Sequence, residues 1–153
     1  MGIYTLLKTQ VIRATLPQAW DFFSSPRNLP KITPPEMGFD ILSEVPEKMF
    51  AGMMIQYRVR PMFGIPLRWL TEITHIEDQQ FFVDEQRVGP YAIWHHEHHF
   101  KDLGDGRVEM TDRITYVPPF GILGDIVHPF IIRPQLERIF AFREKAVETW
   151  FPA

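Results

Sequence analysis

A histidine cluster in the middle of the chain is the segment best suited to chemistry. Four of the six histidines lie within five positions, between Trp94 and Phe100. Alternate residues of a β-strand share a face, so His96 and His98 fall on the same side as these two aromatic residues. The other side holds charged and polar residues typical of a solvated face: His95, Glu97, His99 and Lys101. We therefore expect the first face to point into the protein.

The next strand brings a carboxylate to the same inner face. One side of it consists of Val108, Met110, Asp112, Ile114 and Tyr116. Because this side is mostly apolar, it is predicted to face inward and to carry Asp112 with it. A hairpin turn at Gly104-Asp105 places Asp112 opposite His96, within hydrogen-bonding reach. The same register pairs His98 with Met110 and Phe100 with Val108, and a slip of one residue would remove all three pairs.

The strand before the cluster extends the polar patch. A turn at Gly89-Pro90 brings Phe82, Asp84 and Gln86 to the inner face by the same alternation. The predicted site therefore has aromatic walls around five polar side chains: Asp84, Gln86, His96, His98 and Asp112.

Four interpretations of this patch stay open. The groups satisfy one another in a buried network, or they orient a mostly apolar ligand in a pocket. Alternatively, His96 and His98 bind a metal with a nearby carboxylate, or His96 and Asp112 form an acid–base pair. The metal pattern resembles the cupin signature poorly, since Gly89 lies one residue too far from His96 and the downstream Glu is missing. No metal or cofactor is assigned, and no serine elbow, phosphate loop or dinucleotide fingerprint occurs.

The elements that would position these residues follow from periodicity and turn signals. Residues 3–12 are predicted to form a strand, and a capping box at Thr15–Gln18 opens a helix. A second short helix is predicted over Pro26–Ile32. Six further strands are predicted at 37–44, 53–60, 66–76, 80–88, 91–102 and 106–117.

The C-terminal region has helical periodicity. Its apolar stripe consists of Leu136, Ile139, Phe140, Arg143, Val147 and Trp150. Pro129 is expected to kink or break the preceding helical piece, Ile122–Phe130. Arg143 is unusual on such a stripe, and it is expected to reach the surface or to pair with an inward acid.

This order of elements predicts an α+β fold and a single domain over residues 1–153. A curved, seven-stranded antiparallel sheet wraps around the long C-terminal helix, with two short helices after the first strand. The space between sheet and helix is either packed solid or a pocket.

Composition narrows the possible partners and compartment. The chain of 153 residues has no cysteine, so disulfides, thiolate metal sites and iron–sulfur clusters are excluded. A net charge of −3 argues against nucleic acid. No apolar run is long enough to span a membrane, and we expect a cytoplasmic protein. Aromatic residues make up 14% of the chain, which is consistent with a cavity wall.

Several motifs together resemble the START-like, or SRPBCC, superfamily with its helix-grip fold. The most specific is Gly89-Pro90-Tyr91-x-x-Trp94-x-His96-x-His98-x-Phe100. The others are Asn28-Leu29, Pro34-Pro35 and Phe39; Gly52 and Tyr57; Gly64-x-Pro66-x-x-Trp69; Phe82-x-Asp84; Asp112-x-x-x-Tyr116 with Pro118-Pro119-x-Gly121; and Leu136-x-x-Ile139-Phe140-x-x-Arg143.

The sequence is most similar to small stand-alone bacterial members described as ligand-binding. The resemblance implies a cavity for a small, largely hydrophobic molecule that is lipid-, sterol- or polyketide-like. The alternative is a polyketide cyclase/dehydratase-like enzyme with a His96–Asp112 acid–base pair in that cavity. Ten ligand-binding residues are predicted in total: Trp69, Phe82, Asp84, Gln86, Trp94, His96, His98, Phe100, Asp112 and Tyr116. The resemblance implies no oligomeric state.

Overall fold

Seven antiparallel strands form one sheet in the computed structural model, which describes residues 1–61 and 63–153. The strands are β1 (Tyr4–Ile12), β2 (Asp40–Ile41), β3 (Met54–Val59), β4 (Leu67–Glu77), β5 (Phe81–Val88), β6 (Ile93–Gly104) and β7 (Arg107–Val117). Their order across the sheet is β1-β7-β6-β5-β4-β3-β2. Every neighbouring pair except β1 with β7 is also consecutive in sequence, because the connections between them are short.

The predicted capping box starts helix α1 (Leu16–Phe23). The Thr15 side chain accepts a hydrogen bond from the Gln18 backbone, and the Gln18 side chain accepts one from the Thr15 backbone at 2.9 Å. The helix buries Ala19, Trp20 and Phe23 against the sheet. It therefore packs on the inner face of the sheet, where Trp20 contacts Phe82 and Phe100.

The segment after α1 contains two 3₁₀ turns, Pro26–Ile32 and Pro35–Met37. The predicted strand over 37–44 is wrong for most of its length, since only β2 pairs with β3. Pro35 begins the second 3₁₀ turn, and Gly38 leaves it with a left-handed backbone at φ +52°. Because of these two residues, the extended conformation begins only at Asp40.

The C-terminal helix is continuous for 29 residues and crosses the concave side of the sheet. It consists of α2 (Ile122–Val127), a π-helical turn (His128–Ile132) and α3 (Arg133–Trp150). The predicted break at Pro129 does not occur. A proline lacks the N–H for the ordinary i→i−4 bond, and a local π-helical turn accommodates it.

The register between β6 and β7 differs from the sequence prediction by two residues. His98 lies opposite Asp112, His96 opposite Ile114 and Phe100 opposite Met110. The turn residues are Asp105 and Gly106, both at positive φ, and an irregularity between Asp102 and Gly104 adds a further offset. Because the shift is an even number of residues, each side chain keeps its predicted face.

Helix and sheet pack closely at two places and separate at a third. Near β1 and β7, Leu6 and Ile114 contact Leu136 and Phe140. Near α1, Trp20 and other apolar residues pack with the end of α3. The inner faces of β3 and β4 form a third cluster, which includes no residue of α3. A space between helix and sheet is therefore left on this side. No helix in the described residues is long and apolar enough to cross a bilayer.

Candidate ligand-binding cavity and histidine–aspartate cluster

A cavity of about 610 Å³ occupies the space between the sheet and the C-terminal helix. Its walls come from β3 to β6, the 3₁₀ segments and the inward face of the C-terminal helix. They are largely apolar and aromatic, and include Tyr57, Trp69, Phe82, Trp94, Leu136 and Phe140. This volume lies within the range typical of small-molecule sites. The predicted pocket therefore exists, and the space is not packed solid.

Three polar side chains at the base of the cavity come from adjacent strands. Asp84 on β5 and His96 on β6 lie opposite each other, and His98 is two residues further on the same face of β6. His98 Nε2 donates a hydrogen bond of 2.6 Å to Asp84 Oδ2. His96 Nδ1 lies 3.7 Å from the same carboxylate oxygen. The two imidazoles stack with their centroids 3.7 Å apart.

Asp112 lies behind the two histidines and does not line the cavity. His96 Nε2 donates to its Oδ1 at 2.8 Å, so the predicted His96–Asp112 contact occurs, although the two residues are diagonal neighbours. His98 Nδ1 is 3.2 Å from the same oxygen but lacks hydrogen-bond geometry. The guanidinium of Arg143 lies 3.4 Å from it. Arg143 thus pairs with an inward acid.

Nearby positive and polar groups stabilise the ionised form of both carboxylates in this cluster. Burial alone would raise the pKa of Asp112, but Arg143 and the imidazoles outweigh it and hold this pKa well below its usual range. Burial similarly acts on Asp84, whose pKa is nevertheless lowered by His96 and His98. Both carboxylates are therefore ionised at neutral pH.

The surroundings shift the pKa values of the two histidines in opposite directions. Burial lowers the pKa of His96, and the neighbouring positive charge of His98 lowers it further. Burial also opposes the charged form of His98, but Asp112 and Asp84 flank its ring and raise its pKa overall. The two carboxylates therefore favour the charged form of His98, whereas burial favours the neutral form of His96.

The ten predicted ligand-binding residues separate into two groups. Six line the cavity: Trp69, Phe82, Asp84, Trp94, His96 and His98. The other four do not: Gln86, Phe100, Asp112 and Tyr116. The Gln86 side chain instead bonds the backbone of Tyr91 at 2.6 and 3.0 Å and closes the β5–β6 turn.

Phe100 and Tyr116 are buried in the core beside the cavity. Phe100 packs edge-on against Trp20, with ring centroids 5.3 Å apart. The Tyr116 hydroxyl forms a 2.7 Å hydrogen bond with His128 Nε2. Strand alternation predicts which residues point inward, but it does not distinguish a cavity wall from a packed core. Phe100 and Tyr116 point inward and lie in the packed core.

The rim of the cavity is a feature that the sequence prediction did not include. Phe63 and Ile65 from the β3–β4 loop, and Phe120, Val127 and Ile131 from the C-terminal region, all contribute to the lining. Phe63 and Phe120 are 86% and 83% exposed. Phe120 lies just before the predicted helical piece Ile122–Phe130, and the two glycines that follow it, Gly121 and Gly124, were the signal for a turn or hinge at the mouth.

Comparisons with known proteins identify the fold. No protein-family model matches the chain, and no curated protein matches it. Among solved structures, the Zhui aromatase/cyclase from Streptomyces sp. R1128 superposes with a TM-score of 0.73 at 15% identity, covering 95% of this chain and 92% of that one. A START superfamily protein from Mycobacterium smegmatis has a TM-score of 0.70 at 15% identity, covering 97% and 99%. Major latex-like protein 151 from Panax ginseng also has a TM-score of 0.70 at 15% identity, covering 99% of both chains.

These similarities confirm the predicted resemblance at the level of the fold. The chain has the helix-grip fold of START-like proteins, with an open seven-stranded antiparallel sheet and a long C-terminal helix. Fold alone does not choose among the activities that such a scaffold supports. The function is therefore argued from the cavity.

Proposed function

We propose that the protein binds a small, largely hydrophobic molecule, lipid-, sterol- or polyketide-like, in the cavity between the sheet and the C-terminal helix. The observation that carries this proposal is a cavity of about 610 Å³ with apolar walls and one buried polar group of residues at its base. Apolar walls supply affinity through the surface that they remove from water. Asp84, His96 and His98 supply the few polar contacts that orient such a ligand.

The ligand is proposed to enter at the apolar rim and to place its polar end at the histidines. Phe63 and Phe120 are exposed and also line the cavity, so the apolar surface continues from solvent to the interior. His96 and His98 are buried polar side chains in the lining, as is Thr71, and the two imidazoles are proposed to meet a hydroxyl, carbonyl or carboxylate of the ligand. Asp112 holds the two rings from behind, and Arg143, which also lines the cavity, lies 3.4 Å from Asp112.

Displacement of a fluorescent apolar probe tests this proposal. Anilinonaphthalene sulfonate is bound first, and fatty acids, sterols and aromatic polyketides are then added as competitors. Ile139→Trp places an indole in the cavity and is expected to weaken probe binding by tenfold or more. Ile126→Trp adds the same group at an exposed position of α2 outside the lining and is the matched control.

Two results would contradict ligand binding in the cavity. One is a probe affinity that Ile139→Trp and Ile126→Trp change equally. The other is a panel of competitors that neither displaces the probe nor raises the melting temperature.

A cytoplasmic location stays a prediction from the sequence.

A polyketide cyclase/dehydratase-like enzyme is the second candidate, and the His96–Asp112 hydrogen bond of 2.8 Å favours it. Since Nε2 of His96 is bonded to Asp112, its Nδ1 is the nitrogen available to take a proton from a methylene group between two carbonyls. The Zhui protein, which shares the fold, is described as an aromatase/cyclase.

A paired substitution tests this second candidate. His96→Ala should abolish the conversion of linear poly-β-ketone thioesters, measured by mass spectrometry. It should leave the binding of the apolar probe intact. His95→Ala on the outer face of the same strand should leave both unchanged. If His96→Ala mainly unfolds the protein or spares turnover, the acid–base role is wrong.

A further inference from the structure

Three donor atoms from two strands converge at the base of the cavity. Asp84 Oδ2 lies 2.6 Å from His98 Nε2 and 3.7 Å from His96 Nδ1. One potential ligand atom from each of the three residues lies within 4.8 Å of the other two. Both histidines are buried, and all three residues line the cavity. The donor set is thus two imidazoles and one carboxylate with an open side.

The opposite edges of both rings face one carboxylate. His96 Nε2 donates to Asp112 Oδ1 at 2.8 Å, and His98 Nδ1 lies 3.2 Å from the same oxygen. Histidines that bind metals usually direct their second ring nitrogen to a carboxylate or carbonyl, which fixes the tautomer and the ring orientation. Asp112 is placed to do this for both rings at once, and Arg143 holds Asp112 at 3.4 Å.

His98 Nδ1 is a buried polar atom without a hydrogen-bond partner. Such atoms are rare in native proteins and require an explanation. In the present arrangement the short bond to Asp84 occupies Nε2 and sets the tilt of the ring. A cation bound at Nε2 would replace that bond and leave the ring proton on Nδ1, where Asp112 is the acceptor within reach.

From this arrangement we propose that Asp84, His96 and His98 form a binding site for a divalent first-row transition metal of the zinc or iron(II) type. Imidazole nitrogen with carboxylate oxygen suits these ions, whereas magnesium and calcium prefer oxygen ligands alone. Metal–ligand bonds of about 2.0–2.2 Å separate neighbouring ligand atoms by about 3.0–3.5 Å at octahedral or tetrahedral angles. The 2.6 Å contact therefore opens and the 3.7 Å gap closes, each by less than about 1 Å.

The site extends beyond what the sequence pattern shows. His96-x-His98 alone fits the cupin signature poorly, and the third ligand comes from the adjacent strand β5. Three protein ligands leave coordination positions free on the cavity side, as in metal sites that bind a substrate or water. A hydroxyl, carbonyl or carboxylate at the end of an apolar ligand would reach the metal there. The metal takes the Nδ1 lone pair of His96, so it competes directly with the acid–base role.

Cobalt(II) binding to chelator-treated, full-length protein tests the metal site. Visible absorption and calorimetry should show one equivalent of cobalt bound, and zinc should displace it. Asp84→Asn and His98→Gln should each weaken binding by tenfold or more, and Asp112→Asn by about tenfold through loss of outer support. His99→Gln changes an outer-face histidine of the same strand and should leave the affinity unchanged.

Several results would contradict the proposed metal site. If wild-type protein binds less than one equivalent of cobalt, or develops no visible bands, the site is wrong even where the variants fail to fold. An affinity that Asp84→Asn does not alter, or that His99→Gln alters equally, also overturns it. Apolar probe binding is measured on the same samples. Because the metal does not require the apolar ligand, loss of one kind of binding is distinguishable from loss of the other.

Discussion

The two faces of strand β6 carry the same residue type in two different environments. On the inner face, His96 and His98 are buried and both contact Asp84. His96 also bonds Asp112, which pairs with Arg143. On the outer face, His95 bonds Glu85 at 2.6 Å and His99 bonds Glu97 at 3.1 Å, and all of these side chains are accessible to water. Both faces thus pair histidines with carboxylates, but only the inner pairs are buried, and we expect the inner carboxylates to matter more for stability.

Replacing an arginine on each face is expected to give the largest difference in stability between the two faces. Arg143→Met removes the guanidinium that offsets the negative charge of Asp112. The charged carboxylate then stays buried without that positively charged partner. We expect the free energy of unfolding to fall by about 3 kcal/mol, at the low end for a broken buried pair because the hydrogen bond from His96 to Asp112 is retained. Arg87→Met removes an exposed arginine that pairs with Glu72 and Glu85 on the outer face, and should cost less than about 1 kcal/mol. Urea denaturation of both variants measures the difference.

Neutralising one acceptor on each face gives a smaller contrast. Asp112→Asn retains the size of the side chain but loses the charge that faces Arg143 and His98. We expect a cost of about 2 kcal/mol, typical of a buried hydrogen bond to a charged group. Glu85→Gln changes the acceptor of His95 and should cost less than about 1 kcal/mol. Equal costs in denaturant titrations would remove the distinction between the faces.

The smallest effect concerns the turn that sets the register of both faces. Gly106 has φ +69° in the β6–β7 turn, a conformation that an L side chain adopts with strain. Gly106→Ala should therefore lower the free energy of unfolding by about 1 kcal/mol. Lys101→Ala on the exposed outer face is the control and should change it by less than about 0.5 kcal/mol. A melting temperature that Gly106→Ala leaves unchanged would contradict the described turn.

Alternation explains why the sequence predicts the faces of the sheet well. Inward placement of Asp84, His96, His98 and Asp112 follows from the two-residue period alone. The offset at Asp102–Gly104 is not visible in that period, so the partner of Asp112 was misassigned by two residues although its face was correct. Gln86 shows another limit, because a side chain on the inner face near a strand end can turn back to its own backbone.

Features that depend on three-dimensional placement were the least predictable. Whether the space between sheet and helix is open depends on where α3 crosses the sheet, and no local pattern encodes that position. The pairing of Arg143 with Asp112 joins residues 31 positions apart. Phe63 and Phe120 are exposed and also line the cavity, a placement that local sequence does not encode.

Ring resonances of the histidines test the central claim directly. Carbon–proton correlation spectra are recorded while a saturating apolar ligand, chosen by probe displacement, is added to the protein. We predict saturable shifts for His96 and His98, whose rings line the cavity, and none for His95 and His99 on the outer face. If the inner histidines do not respond, or if all four shift together, the cavity with its histidine–aspartate base is not the binding site.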